Sequence, residues 1–337
     1  FGTALVALVF VLGRKLLGRW AGAIAGFLVA TDFLLIVQSR VAMLDIFLAF
    51  FVVLGFLFVA YEHERILTVR QQGGGELDLR WRVAAGLAFG AAAAVKWSGI
   101  FALAAGGALV ALWAVESAAH LRLVKAGLPE HAAPYAPSPE LELNATVLAI
   151  GIPALAVYVA SYGAWFAHHS FSMAQFLSLQ HSMLDYHLHL GIRHAYATRA
   201  WTWPLVVRPI AYYYSPANVH EHQILAFGNP ATWWAALVAG AWFLVRSFRR
   251  RHAPERLVMA GWLAQYLPWL FVARQLFFFY MTPVVPFMML ALAGSLTDLA
   301  EGSRRRRTLV IGFLVAVGAL VWFYFPVLTG ALHGRSL

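Results

Sequence analysis

"FGNPATWWAALVAGAWFLVRSFRRRHAPERLVMAG", residues 227–261, runs from a turn into an apolar stretch and then into Arg246, Arg249, Arg250, Arg251 and Arg256. That order decides the fold class. An apolar run of about 17 residues or more can cross the hydrocarbon core of a bilayer as a helix, and arginines collect in the loops on the cytoplasmic side of such runs. The arginines after Leu244 therefore anchor a cytoplasmic loop between two spans. The same alternation recurs along all 337 residues, of which 61% are hydrophobic and 12% charged, against roughly 25% charged in soluble domains. The sequence specifies an all-α polytopic membrane protein.

The formal charge of +10 does not point to nucleic acid. The basic residues sit in short loops between apolar runs, with no basic stripe interleaved with stacking aromatics. Cysteine is absent, which excludes disulfides, thiolate metal centres and cysteine nucleophiles. The chain opens at Phe1 inside an apolar run, so no signal peptide is legible, and a fragment is expected.

Apolar segments lie near residues 1–13, 20–37, 41–61, 84–114, 145–167, 230–246, 257–273, 276–294 and 308–328. Basic loops hold Arg14, Lys15 and Arg19; Arg65, Arg70, Arg80 and Arg82; Arg122 and Lys125; Arg246 to Arg256; and Arg304 to Arg307. A single pass over 84–114 would put its two basic flanks on opposite sides of the membrane. The segment is therefore expected to cross twice, breaking near "VKWSGI" (residues 95–100), which makes about ten spans. Three parts follow: an N-terminal transmembrane part, 1–167, an external His- and Trp-rich loop, 168–229, and a C-terminal four-span part, 230–337. "QQGGGE" and "GLPEHAAPYAPSPE" read as cytoplasmic linkers.

Ionisable side chains at membrane depth are costly and mark functional sites by default. Arg40 and Asp45 flank a tight turn, Lys96 sits in "VKWSG", Arg208 in "TWPLVVRPIAYYY" and Arg274 in "FVARQLFFFYMTPVVPF". All four cations fall on the external side, against the usual bias, and this asymmetry suggests a bound anion. Plainer readings stand beside it. Arg40 and Asp45 could form a helix-capping ion pair, Lys96 could snorkel to the interface, and Arg208 and Arg274 could anchor an aromatic belt with Trp201, Trp203 and Tyr212 to Tyr214. Asp32 reads as a satisfied interhelical hydrogen-bonding group. Of thirteen histidines, His168, His169, His181, His187, His189, His194, His220 and His222 fall in the external loop. Without an accompanying carboxylate cage they suit an acceptor or phosphate-bearing headgroup better than a metal. No metal is expected.

"QSRVAMLDIFLAFF", "AVKWSGIFAL", "HSMLDYHLHL", "HAYATRAWTWPLVVRPIAYYY" and "RQLFFFYMTPVVPFMMLALA" together resemble the bacterial, especially actinobacterial, protein O-mannosyltransferases that use polyprenyl-phosphate-mannose. The likeness extends over nearly the whole chain. It implies a GT-C-type transmembrane bundle that transfers mannose with inversion from the lipid phosphate to serine or threonine hydroxyls of secreted polypeptides. The setting would be the external face of the bacterial plasma membrane, with membrane lipid around the carrier, no cofactor, and possible contact with the secretion machinery. The family's catalytic Asp-Glu pair lies in the first external loop, which would precede Phe1. By matching motif the resemblance carries over Arg40, Asp45, Lys96, Trp97 and Arg208. Arg40, Lys96, Arg208 and Arg274 are then expected to bind the donor phosphate, with Asp45, Trp97 and Tyr212 in support. His187, His189, His194 and Trp203 would face the acceptor or headgroup. Rival readings are a noncatalytic lipid-binding subunit, a transferase of another lipid-linked sugar, and a transporter or flippase, for which repeated broken helices are missing.

Overall fold

The computed structural model describes residues 1–126, 137–189, 194–215, 222–249 and 253–331. Arg250, Arg251, His220, Glu221 and most of the Ala/Pro-rich linker lie outside the described residues. Helices α1 (Gly2–Leu17) and α2 (Arg19–Ala30) fold back on each other at Gly18, whose φ of 95° suits glycine. At Thr31 and Asp32 the chain bends by 59° into α3 (Phe33–Arg40). Asp32 caps this short helix, accepting from the Leu35 N–H at 3.0 Å and the Trp233 indole N–H at 2.7 Å. It is the satisfied interhelical group anticipated from the sequence, seated at a helix break.

After a turn at residues 41–43 come α4 (Leu44–Gln71), α5 (Arg80–Val95), α6 (Gly99–Ala126) and α7 (Pro139–Ala160). The break between α5 and α6 falls at Lys96–Ser98, inside "VKWSGI", where the charge pattern requires it. Helix α7 lies against α5 because Gly90 has no side chain: a Cβ there would sit 2.5 Å from the Ala154 carbonyl oxygen. Then follow α8 (Gly163–His168) and α9 (Met173–His189), a 3-10 helix (Ala200–Leu205), and the antiparallel hairpin of β1 (Ile210–Ser215) and β2 (His222–Ala226). The chain closes with α10 (Pro230–Arg249), α11 (Ala253–Tyr266), two 3-10 turns (Leu267–Phe271 and Phe278–Met281), α12 (Val285–Glu301) and α13 (Arg304–Thr329).

Helix α12 is the axis of the bundle. Every residue from Val285 to Gly294 is buried, as befits a helix that is apolar on all sides, and α2, α10, α11 and α13 pack around it. Phe56 of α4 meets Phe287 of α12 and Phe89 of α5 edge to face at 5.1 and 5.5 Å.

Four helices, α4, α6, α7 and α13, are long and apolar enough to cross a membrane on their own, and the bent α2–α3 pair makes five. Ten spans are not confirmed. Helices α1, α5, α11 and α12 have 16, 16, 14 and 17 residues, and about 20 are needed to span the core. The apolar segments near 257–273 and 276–294 each spend part of their length in 3-10 turns, which shortens the helices they supply. The hairpin also departs from an all-α reading; its β-favouring run Ile210–Tyr214 lies within the loop between α9 and α10.

The bundle has two polar ends. At one, Lys15 pairs with Glu64, and Arg246 with Asp298 and, at 2.8 Å, Glu255. Arg82, expected in a solvated basic loop, is instead fully buried inside α5. It contacts Glu62 at 2.7 Å and Thr146 at 2.9 Å, and approaches Glu142 at 2.6 Å as an ion contact without hydrogen-bond alignment. Arg65 completes the network on Glu62 at 2.7 Å. Seventeen residues of α4 separate Glu62 from Asp45, roughly 26 Å at 1.5 Å per residue, and Asp45 stands at the opposite end.

Candidate active site

The turn at residues 41–43 is tight enough to force Ala42 to a φ of 50°, a left-handed conformation that costs an L-residue roughly 1–2 kcal/mol. It delivers Asp45 into the first turn of α4, where the carboxylate is buried and favoured by the helix N-terminus. The plainer alternative, an Arg40–Asp45 capping pair, does not form. Lys96, held extended at the α5–α6 break, reaches Asp45 at 2.7 Å, because the break aims its side chain along the end of the bundle toward α4. Arg40 ends α3 exposed, with no ion pair among the described residues.

Lys96 also lies over an aromatic wall. Its ammonium is 3.9 Å from the ring centre of Tyr280 and 5.5 Å from that of Phe279, a cation–π geometry. Arg274 flanks the same wall, 6.0 Å from Tyr280 and 5.9 Å from Trp269. Trp203 is buried; its indole donates to the Thr198 hydroxyl at 2.8 Å, and its ring backs Tyr280 edge-on at 6.0 Å. That side chain supports the wall rather than presenting itself to an acceptor.

On a third side, a bulge between Ala211 and Tyr213 turns Tyr212 inward while Tyr213 and Tyr214 stay exposed. The Tyr212 hydroxyl accepts from the Gln38 amide at 2.7 Å. Burial, reinforced by the Asp45 charge, pushes the Tyr212 phenol above its ordinary pKa. It stays a neutral donor throughout the physiological range.

Helix α9 covers the remaining side. Trp97 donates to the Tyr158 hydroxyl at 2.7 Å, Tyr158 donates to the Gln180 carbonyl oxygen at 2.5 Å, and the His187 ring lies 6.2 Å from Trp97. Partial burial, then the positive charges of Arg274 and Lys96, lower the His187 pKa below 6.5. The neutral form is therefore favoured where the helix is docked. As pH falls below the ordinary histidine range, the undocked chain takes up the proton first, and α9 docking weakens. In an NMR titration His187 should protonate below 6.5, and Arg274→Gln should move its midpoint upward; a midpoint insensitive to that change would separate the two residues.

Three of the residues singled out from sequence, Arg40, Arg208 and His189, stand apart from this cluster, and a fourth, His194, borders it. Arg208 is exposed and without an ion pair among the described residues. His189 faces solvent beside Asp185 at 3.0 Å. His194 takes the Gln275 carbonyl oxygen on its backbone N–H at 2.6 Å and packs on Phe277 at 5.3 Å, next to the aromatic wall. Arg40 lies across the turn from Asp45. Sequence reasoning passed over Gln38, Tyr158, Gln180 and Tyr280. A polar residue inside "FLLIVQSR" was the available signal for Gln38; Tyr280 in "FFFYM" offered none.

Residues 1–133 match the family model described as dolichyl-phosphate-mannose-protein mannosyltransferase, and residues 172–336 match that of the C-terminal four TMM region of protein-O-mannosyltransferase. A polyprenol-phosphate-mannose–protein mannosyltransferase of Mycobacterium tuberculosis is 30% identical over 98% of this chain and 72% of its own length. The Mycolicibacterium smegmatis protein of the same name is 28% identical with the same coverage. Among solved structures, the Saccharomyces cerevisiae protein O-mannosyltransferase Pmt1-Pmt2 complex bound to the sugar donor superposes with a TM-score of 0.77 at 11% identity, covering 98% of this chain and 77% of the other. ArnT from Cupriavidus metallidurans in the apo state gives 0.53 at 16% identity, over 99% and 50%. At such identities the likeness is one of fold, and that fold is the GT-C glycosyltransferase bundle.

Proposed function

We propose that this chain, which belongs to the protein O-mannosyltransferase family, moves mannose from polyprenyl-phosphate-mannose to serine and threonine hydroxyls of secreted polypeptides at the external face of the plasma membrane. The observation that carries the reading is the cluster at the end of the bundle away from the basic loops. There Lys96 and Arg274 converge on the Tyr280 wall, opposite the end that binds Lys15, Arg82 and Arg246 into ion pairs. The basic end fits the cytoplasm, and the cluster then faces outward.

The transfer is an inverting displacement. The acceptor oxygen forms a bond to the anomeric carbon, the bond from that carbon to the phosphate oxygen breaks, and the carrier phosphate leaves with added negative charge. Preplaced cations stabilise that charge as it develops. Lys96 leads the set because it is already oriented by Asp45 and Tyr280. Arg274 stands beside it; Arg40 and Arg208, exposed outside the cluster, would add planar forks to the phosphate only by swinging their side chains toward it. The acceptor proton goes to a carboxylate. Asp45 is committed to Lys96, which favours the Asp-Glu pair of the family's first external loop as the base. His187, His194 and the α9 helix border the side from which a polypeptide would enter.

With cations carrying the phosphate charge, the scheme needs no metal. The purified full-length protein should transfer mannose from polyprenyl-phosphate-mannose to a serine peptide, not to its alanine counterpart, and EDTA should leave the rate unchanged. Donor hydrolysis indifferent to the peptide hydroxyl would refute acceptor transfer. Loss on EDTA restored by a divalent ion would refute the metal-free scheme.

A further inference from the structure

At the opposite, basic end, α2 and α13 both pack on α12 but scarcely on each other. They converge where a side chain on Gly318 would meet the Phe27 ring at 3.8 Å and splay apart toward their polar ends. The opening is a groove of about 940 Å³. Its walls are apolar: Ile24 and Phe27 on α2, Ile311 and Leu314 on α13, with Ala300 on α12 between them. Its mouth is charged. Arg304 and Arg307, three residues apart and so on one helix face, line it beside Glu301, and neither arginine has an acidic partner among the described residues. On the other lip Trp20 is 66% exposed, with the Arg19 guanidinium 5.8 Å from its ring, the arrangement of an interfacial anchor.

We infer that this groove binds a glycerophospholipid with an anionic headgroup, its acyl chains along Phe27 and Leu314 and its phosphate between Arg304 and Arg307. Three features select that occupant. The groove opens between membrane helices, so its apolar length is filled from the bilayer. The charge sits only at the mouth, at headgroup level. Two arginines against one glutamate leave that mouth net positive, which matches an anionic headgroup better than a zwitterionic one. The site is separate from the Lys96 cluster and does not depend on the reaction assigned to it.

Native mass spectrometry of the delipidated full-length protein, titrated with phosphatidylglycerol and phosphatidylcholine of matched chains, tests this. The one net positive charge of the mouth should favour phosphatidylglycerol by roughly fivefold. Arg304→Gln with Arg307→Gln, both exposed positions, should erase the preference, and Ala23→Trp, which fills the groove, should remove both lipids. Equal affinities in the unaltered protein, a preference that survives in either variant, or a dimer that Ala23→Trp dissociates would overturn the inference.

Discussion

Replacing Lys96 with Met is expected to lower mannosyl transfer by roughly a hundred- to a thousandfold, the usual cost of removing one preorganised group that stabilises developing charge. The same change has a second consequence, because Lys96 is the ion-pair partner of Asp45, whose side chain is 4% exposed. A carboxylate left alone in that setting destabilises by roughly 3–5 kcal/mol, somewhat less here since Lys96 is itself 23% exposed. The two effects are separable. Lys96→Met with Asp45→Asn leaves no unpaired charge, so thermal stability should return while transfer stays low. Recovery of both together would make Lys96 a structural residue and remove it from the donor site. Lys96→Arg keeps the charge and can stack on Tyr280, but a longer planar group does not reproduce the compact ammonium's simultaneous contacts with Asp45 at 2.7 Å and Tyr280 at 3.9 Å, so partial activity is expected.

Replacing Arg82 with Met carries the largest expected loss of stability. Arg82 and Glu62 are fully buried, and Glu142 nearly so; deleting the arginine leaves two carboxylates facing one another with only Arg65 to offset them. Breaking a buried network of this kind costs roughly 3–5 kcal/mol. Removing the charge from all three, with Arg82→Met, Glu62→Gln and Glu142→Gln, should recover most of it, since buried ion pairs replaced as a set are often near neutral. Thermal unfolding in detergent reads both. The network lies near the far end of α4, so the protein that remains folded should keep its apparent KM for donor. A changed KM would couple the two ends of the bundle.

These two lysine and arginine sites also mark where the sequence was legible. Lys96 stands out as a lone cation between apolar runs, and the charges flanking 84–114 require a break there. The partner of Lys96 was hidden, because Arg40 is five residues from Asp45 in sequence while Lys96 is fifty-one away. Nearness along the chain suggested a pair that the turn at Ala42 does not make. Arg82 was misread for the converse reason: it follows Arg80 in a basic stretch, and nothing local tells that Glu62 and Glu142 will close over it. Tyr280 lay concealed in an aromatic run that reads simply as membrane. The number of spans suffered from the same limit, since hydropathy records apolar length but not where 3-10 turns and the bend at Asp32 interrupt it.

The measurement that bears most directly on the donor site is phosphorus NMR of polyprenyl phosphate, the carrier without its sugar, bound to the full-length protein and to its Lys96→Met/Asp45→Asn variant. The Lys96 site predicts a phosphate resonance shifted on binding, with the shift lost and affinity lowered at least tenfold in the variant, consistent with removal of one charge-assisted contact. A resonance and affinity identical in the two proteins would place the phosphate elsewhere and contradict the assignment.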